Sequence, residues 1–108
     1  MRIISRSKLV GFLATLAGRK DHPAVKAAVE SWYAEAKRAR WKNSAEIRAR
    51  YVTASIVTAS RVVFNIKGND YRLIVEIDYE KQILWTIWIG SHAAYDKIGD
   101  VRKVRHES

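Results

Sequence analysis

The alternation of residue types between Arg61 and Asp78 constrains this chain more than any other feature. Val62, Phe64 and Ile66 alternate with Arg61, Val63, Asn65 and Lys67, while Tyr71, Leu73, Val75 and Ile77 alternate with Arg72, Ile74, Glu76 and Asp78. A period of two is that of a strand with one buried face. Gly68-Asn69 lies between the two runs and is a two-residue turn signal with glycine first, as a type II′ turn requires. The turn predicts the register: Lys67 faces Asp70, Asn65 faces Arg72, and Val63 faces Ile74, with opposed Cβ atoms about 5 Å apart. The apolar set then shares one face, and Asn65, Lys67 and Arg72 lie on the other. A slip of one residue would exchange the faces.

The remaining elements follow from spacing. Arg2 to Ser5 reads as a short strand. Leu9, Phe12, Leu13 and Leu16 recur at helical spacing, with Gly18 as a stop. Pro23 suits the first turn of a second helix, whose stripe is Val25, Ala28, Val29, Trp32, Tyr33 and Ala36. Asn43-Ser-Ala-Glu46 resembles a capping box and starts a short helix to about Arg50. Ile83 to Ile89 is apolar on both faces, which predicts a central strand with Trp85 and Trp88 on opposite sides. Ser91 can cap a short helix from His92 to about Ile98, and Val101 to Ser108 reads as a polar tail that frays. Strands in a run joined by short turns imply an antiparallel meander. The expected class is α+β: an N-terminal helical hairpin on a small antiparallel sheet, then a short C-terminal helix. One domain over residues 1–108 is expected, with 101–108 as a flexible tail.

Composition bounds the partners. Lys and Arg outnumber Asp and Glu by 20 to 11, a net charge of +9, so a polyanion such as RNA is the expected partner class. With no cysteine, disulfides, thiol catalysis and Cys-based zinc sites are excluded. No apolar run approaches the ~20 residues of a membrane span, and the N-terminus lacks the apolar stretch of a signal peptide. A cytoplasmic protein with no membrane contact is expected. His22, His92 and His106 give no metal-ligand spacing, and no phosphate-binding glycine motif is present. Neither a metal nor a cofactor is expected.

The densest positive segment is Lys37-Arg38-Ala-Arg40-Trp-Lys42. It would draw RNA by counterion release, or it is a solvated helix end. Trp41 either stacks on a base or plugs the helix end. His92, Tyr95 and Asp96 share a face at i, i+3 and i+4 if helical. A carboxylate can orient a histidine there. The bland alternative is a capping histidine with Tyr95 packed inward. Likewise Asn65, Lys67 and Arg72 are either a phosphate site or a solvated sheet face, and Lys67–Asp70 either assists or is a turn-flanking ion pair.

The Phe-Asn-x-x-Gly-Asn-x-x-Arg run (Phe64 to Arg72), followed by His-x-x-Tyr-Asp (His92 to Asp96), resembles the HigB toxins of bacterial toxin–antitoxin modules. Trp41-Lys-Asn-Ser-Ala-Glu-Ile47 and Arg2-Ile-Ile-Ser5 also fit, so the resemblance runs to about Val101. It implies a RelE-like fold and an endoribonuclease (mRNA interferase) acting on messages at the ribosome. It also implies neutralisation by a helix-turn-helix antitoxin from the same operon, with operator DNA bound only through that complex. Carried onto this sequence, the shared positions are Asn65, Gly68, Asn69, Arg72, His92, Tyr95 and Asp96, and Lys67 and Tyr71 fit the pattern. Ser91 stands where threonine is frequent. Arg72, His92, Tyr95 and Lys67 are the expected catalytic groups. Asn65, Asn69, Lys37, Arg40, Trp41 and Lys42 are the expected RNA contacts, with Gly68 and Asp96 in support. Two other readings are a non-catalytic RNA- or ribosome-binding module, which explains the charge equally well, and a gyrase-directed toxin of the same superfamily.

Overall fold

A computed structural model describes residues 1–105. The chain forms an α+β domain with a five-stranded sheet in the order β1-β5-β4-β3-β2. The strands are β1 (Arg2–Ile4), β2 (Ser55–Ile56), β3 (Arg61–Ile66), β4 (Tyr71–Asp78) and β5 (Ile83–Ser91). The helices are α1 (Arg6–Thr15), α2 (His22–Arg38), α3 (Ser44–Arg50) and α4 (His92–Asp96).

The β3–β4 register is the one the turn predicts: Asn65 pairs with Arg72, and Val63 with Ile74. Gly68 has φ +64°, and the Asp70 amide donates to the Lys67 carbonyl at 3.3 Å, closing the turn around Gly68 and Asn69. Lys67 is also left-handed, at φ +52°, a conformation that costs a non-glycine residue free energy. Val62, Phe64, Ile66, Tyr71, Leu73 and Val75 all enter the main core, packed against Leu9, Val25, Val29, Trp32 and Ile47 from the helices. Phe64 is its aromatic hub, with Trp32, Trp41 and Tyr51 rings at 5.4, 6.1 and 5.0 Å.

The sheet is mixed, not the antiparallel meander expected. β1 lies parallel to β5 at the edge, with Arg2 opposite Ile83 and Ile4 opposite Trp85. The Thr86 hydroxyl donates to the Ser5 and Ile4 carbonyls where β1 turns into α1. β2 is only two residues long, too short for any periodic signal.

β5 carries a second departure. Ile74 pairs with Trp88 but Val75 pairs with Thr86, so Ile87 is an extra residue in a bulge. The bulge breaks the two-residue parity. Trp85 and Trp88 therefore sit on one face instead of opposite faces, both packed against a second small core of Val63, Ile74 and Ile87. The same face carries Val101 and Val104, so this part of the tail is packed rather than frayed. Arg61 explains why. Its side chain is 10% exposed and pairs with Glu76 at 3.0 Å. Its Nη1 donates to the carbonyls of Val101, Arg102 and Val104. The last part of the expected tail, 106–108, lies outside the described residues.

The short helices are capped as the sequence predicts. The Asn43 side chain accepts from the Glu46 amide at 3.0 Å. Glu46 reaches back one residue further than a standard capping box, to the Lys42 amide at 2.8 Å. Ser91 Oγ accepts from the Ala94 amide at 3.1 Å and starts α4, which ends at Asp96, two residues earlier than expected.

Candidate nucleic-acid interface

Three strands and a helix meet at one corner of the sheet. Asn65, Arg72 and Gly90 form a row across β3, β4 and β5. At the same end β5 runs directly into α4, which carries His92, Tyr95 and Asp96. The His92 amide donates to the Asp70 carbonyl at 2.9 Å, so the β3–β4 turn and the start of α4 are tied together.

The Arg72 guanidinium is held by the turn. Nη2 donates to Asn69 Oδ1 at 2.6 Å, and Nη1 to the Asn69 carbonyl at 3.0 Å. Its Cζ lies 5.7 Å from the centroid of the Tyr95 ring, within cation–π range. Tyr95 rests in turn on Trp88, ring to ring at 6.2 Å. His92 Nε2 is 3.3 Å from Asp96 Oδ2, and its side chain is 39% exposed, open to a substrate. Lys67 Nζ pairs with Asp70 at 3.1 Å. The corner thus offers a fixed cation, a second cation, an imidazole beside a carboxylate, and a phenol. Those are the groups needed to neutralise a phosphate and to move protons around it.

Gly90 is a residue that the sequence pattern alone did not single out. A Cβ at this position would lie 2.6 Å from ring atoms of Trp88. The Trp88 ring therefore lies against the bare backbone next to Arg72, and it supports Tyr95 from there. A glycine inside an apolar strand was the available signal. Arg61 was also missed as a support. Its partners are mostly carbonyl groups, which leave no trace in residue types.

Tyr71 faces the opposite side of the sheet, against the helices. Its hydroxyl donates to the Asp21 carboxylate at the start of α2. That bond, with burial behind it, raises the Tyr71 phenol above its ordinary value, and the same bond is the first cause holding the Asp21 carboxyl below its own. Tyr71 is an anchor between sheet and helix, away from the Arg72 face.

The basic segment at the C-terminal end of α2 (Lys37 to Lys42) is not part of this corner. Lys37, Arg40 and Lys42 line a separate hollow with Met1, Arg2 and Gln82. Gln82 precedes β5 and His92 follows it. The two ends of this nine-residue strand are about 26 Å apart at about 3.3 Å per residue. Trp41 is 8% exposed, stacked on Phe64 and edge-on to Tyr51. It is the helix-end plug, and its ring offers no face to a base.

Among the described residues, no three His, Cys, Asp or Glu side chains converge as a metal-ligand set, and no helix is long and apolar enough to cross a membrane. A family model described as HigB toxin, the RelE-like toxic component of a toxin–antitoxin system, matches residues 25–98. That span is more than half of the chain and contains every residue of the Arg72 corner. No curated protein matches the chain.

Proposed function

The chain belongs to the HigB family of RelE-like toxins of toxin–antitoxin systems, and we propose that it is a metal-independent endoribonuclease that cuts messenger RNA on the ribosome. One observation carries the reading: Arg72, clamped by Asn69 over the Tyr95 ring, shares a corner with the His92–Asp96 pair.

The reaction is a transesterification. The RNA 2′-oxygen attacks the adjacent phosphorus, a P–O bond forms, and the bond to the 5′-oxygen breaks. A base accepts the 2′-hydroxyl proton and an acid delivers one to the departing 5′-oxygen, so the products are a 2′,3′-cyclic phosphate and a 5′-hydroxyl. Arg72 binds the phosphorane oxygens, and Lys67 assists through its charge. His92 serves as the acid or the base, oriented by Asp96. Tyr95 shares proton transfer or orients the phosphate from beneath Arg72. Asn65 and Asn69 hold backbone or base edges, and Gly68 permits the turn that brings Asn69 to Arg72.

Lys37, Arg40 and Lys42 act as a remote phosphate-contact surface on the same RNA or on the ribosome. In this reading a helix-turn-helix antitoxin neutralises the protein, and operator DNA is bound only through that complex.

The test is inducible expression of the wild type, Arg72→Ala and His92→Ala in bacteria, with sequencing of new 5′-hydroxyl RNA ends. The expected result is cuts within coding regions for the wild type, lost in both variants. Ends that carry 5′-phosphates and need Mg²⁺ would reject the mechanism. The distance of the basic segment from Arg72 favours a second reading, a non-catalytic RNA-binding module. That reading predicts toxicity which survives His92→Ala and is abolished by charge reversal at Lys37 and Arg40.

A further inference from the structure

Three hollows in the surface share their walls. The first, of about 810 Å³, is the basic one lined by Arg2, Lys37, Arg38, Arg40 and Lys42. The second, of about 500 Å³, takes Arg38 and Ala39 from the first and adds Glu35, Trp41 and Arg50. The third, of about 300 Å³, takes Glu35 from the second and ends on Asn65, Lys67 and Gly68. Asn65 is the cross-strand partner of Arg72, and Lys67 starts the turn that holds it. The hollows therefore connect, end to end, the basic segment with the corner that β5 separates from it.

Charge along this course is one-sided. Among the described residues, Arg2, Lys37, Arg38, Arg40 and Lys42 have no carboxylate within ion-pair distance, and no Asp or Glu lines the first hollow. Crowded like charges attract a polyanion strongly. Glu35 is the one carboxylate on the walls of the three. It is already held by Arg50 at 2.8 Å and by the Tyr51 hydroxyl. Phosphates are thus matched by cations at both ends of the course. In the middle a base fits better, because its amino hydrogens can donate to the lone pairs that Glu35 still has. The third hollow also carries an unfilled group. Trp32 on its wall is 4% exposed, and its indole N–H is buried with no hydrogen-bond partner among the described residues. Buried donors ordinarily have one.

The backbone leaves the way to the corner open. β2 pairs only with Val62 and Val63 of β3, so from Asn65 onward β3 is a free sheet edge, and the third hollow lies against it. A chain crossing that edge has one strand spacing to travel to reach β4 and Arg72, about 4.8 Å.

We propose that the three hollows form one track for single-stranded RNA, running from the Arg72 corner over the free edge of β3 and along the end of α2 to the Lys37–Lys42 hollow. It rests on the RNA reading above and adds the course and the length of the bound strand. A span of about 26 Å takes about eight nucleotides at the stacked rise of ~3.4 Å, and fewer where the strand is extended.

The test uses the full chain and a 2′-O-methyl RNA decamer, which lacks the attacking hydroxyl and stays intact. One 4-thiouridine is placed at either end or in the centre, and crosslinked peptides are mapped. One end is expected to crosslink around Lys67 to Tyr95, the centre around Glu35 or Tyr51, and the other end around Lys37 to Lys42. In fluorescence anisotropy, Arg38→Glu is expected to weaken decamer binding by about tenfold and to make its salt slope shallower by about 0.7 per lost phosphate contact. Lys20→Glu makes the same change of net charge off the track and is expected to stay within about twofold, since screening limits its reach to about 10 Å. If Arg38→Glu fails to fold by circular dichroism, Arg38→Gln decides, with a loss of about threefold expected. Equal losses for the Arg38 and Lys20 variants would overturn the track in favour of diffuse attraction. So would crosslinks that do not depend on the position of the label, or a centre that never reaches Glu35 or Tyr51. A protein that binds the decamer along this course yet leaves no 5′-hydroxyl ends fails the nuclease reading alone. One that cuts but shows no ordered crosslinks fails this proposal alone.

Discussion

Asn69 holds Arg72 through two oxygens, its side-chain Oδ1 at 2.6 Å and its own carbonyl at 3.0 Å. The left-handed Gly68 between the strands is what brings Asn69 into this position. Both bonds are exposed to solvent, where water competes for the same groups, so they orient the guanidinium while adding little to folding stability. Asn69→Ala removes one of the two, so RNA cleavage is expected to fall about ten- to a hundredfold while the melting temperature barely moves. Arg72→Lys keeps the charge but loses the planar fork, and is expected to fall at least as far. Single-turnover cleavage rates on a ribosome-programmed message check both.

Gly90→Ala is expected to push the Trp88 ring away from the backbone, because a Cβ there would sit 2.6 Å from it. Overpacking of this kind costs about 1–3 kcal/mol. The displaced ring also withdraws support from Tyr95. Stability by urea titration and cleavage rate should therefore fall together, unlike Asn69→Ala, which separates them.

Arg61→Met leaves Glu76 without its guanidinium partner and three carbonyls without their donor. Removing one member of a buried pair costs about 3–5 kcal/mol, and a value at the low end is expected here because Glu76 keeps its bond from Ser60. The loss should be local first. Hydrogen exchange is expected to rise in the segment from Ile98 to Val104 before the sheet is affected.

The Asp21–Tyr71 bond gives stability a defined pH dependence. The Asp21 carboxyl is depressed in the folded state, first by the Tyr71 hydroxyl. Its contribution is present above the unfolded value of about 3.9 and is lost as the pH falls through the folded value. Tyr71 is raised, first by the Asp21 carboxylate, so its contribution is present below about 10 and is lost as the pH rises beyond that. Tyr71→Phe is expected to flatten both limbs of a stability–pH curve measured by urea unfolding. Unchanged limbs would place the linkage elsewhere.

Trp41→Ala is expected to behave as a core deletion, destabilising by about 3–5 kcal/mol, since the ring is 8% exposed beneath Phe64 and Tyr51. Lys37→Glu with Arg40→Glu is expected to leave the melting temperature in place. RNA affinity should drop, with a shallower salt slope, by about one unit for each phosphate that is no longer neutralised.

The contrast between those two substitutions marks how far the sequence could be read. The Asn65–Arg72 register was legible because a turn glycine and a strict two-residue alternation point to the same pairing. The position of His92 was legible because β5 delivers it directly. The parity of Trp85 and Trp88 was not, because the bulge at Ile87 has no residue signature in a strand that is apolar throughout. The parallel edge strand was not legible either, since three residues of β1 do not name their partner. Charge density marked Lys37 to Lys42, but density carries no distance, and the length of β5 separates that segment from Arg72. The packed tail depends on Arg61 bonding to backbone, which residue types do not record.

The most direct measurement of the central claim uses a ribosome-programmed message carrying a single 2′-deoxy nucleotide immediately 5′ of a mapped cut. Attack by the 2′-oxygen predicts that the wild-type protein no longer cuts at that bond, while neighbouring sites are cut as before. Continued cleavage at the 2′-deoxy position would contradict the mechanism assigned to Arg72 and His92.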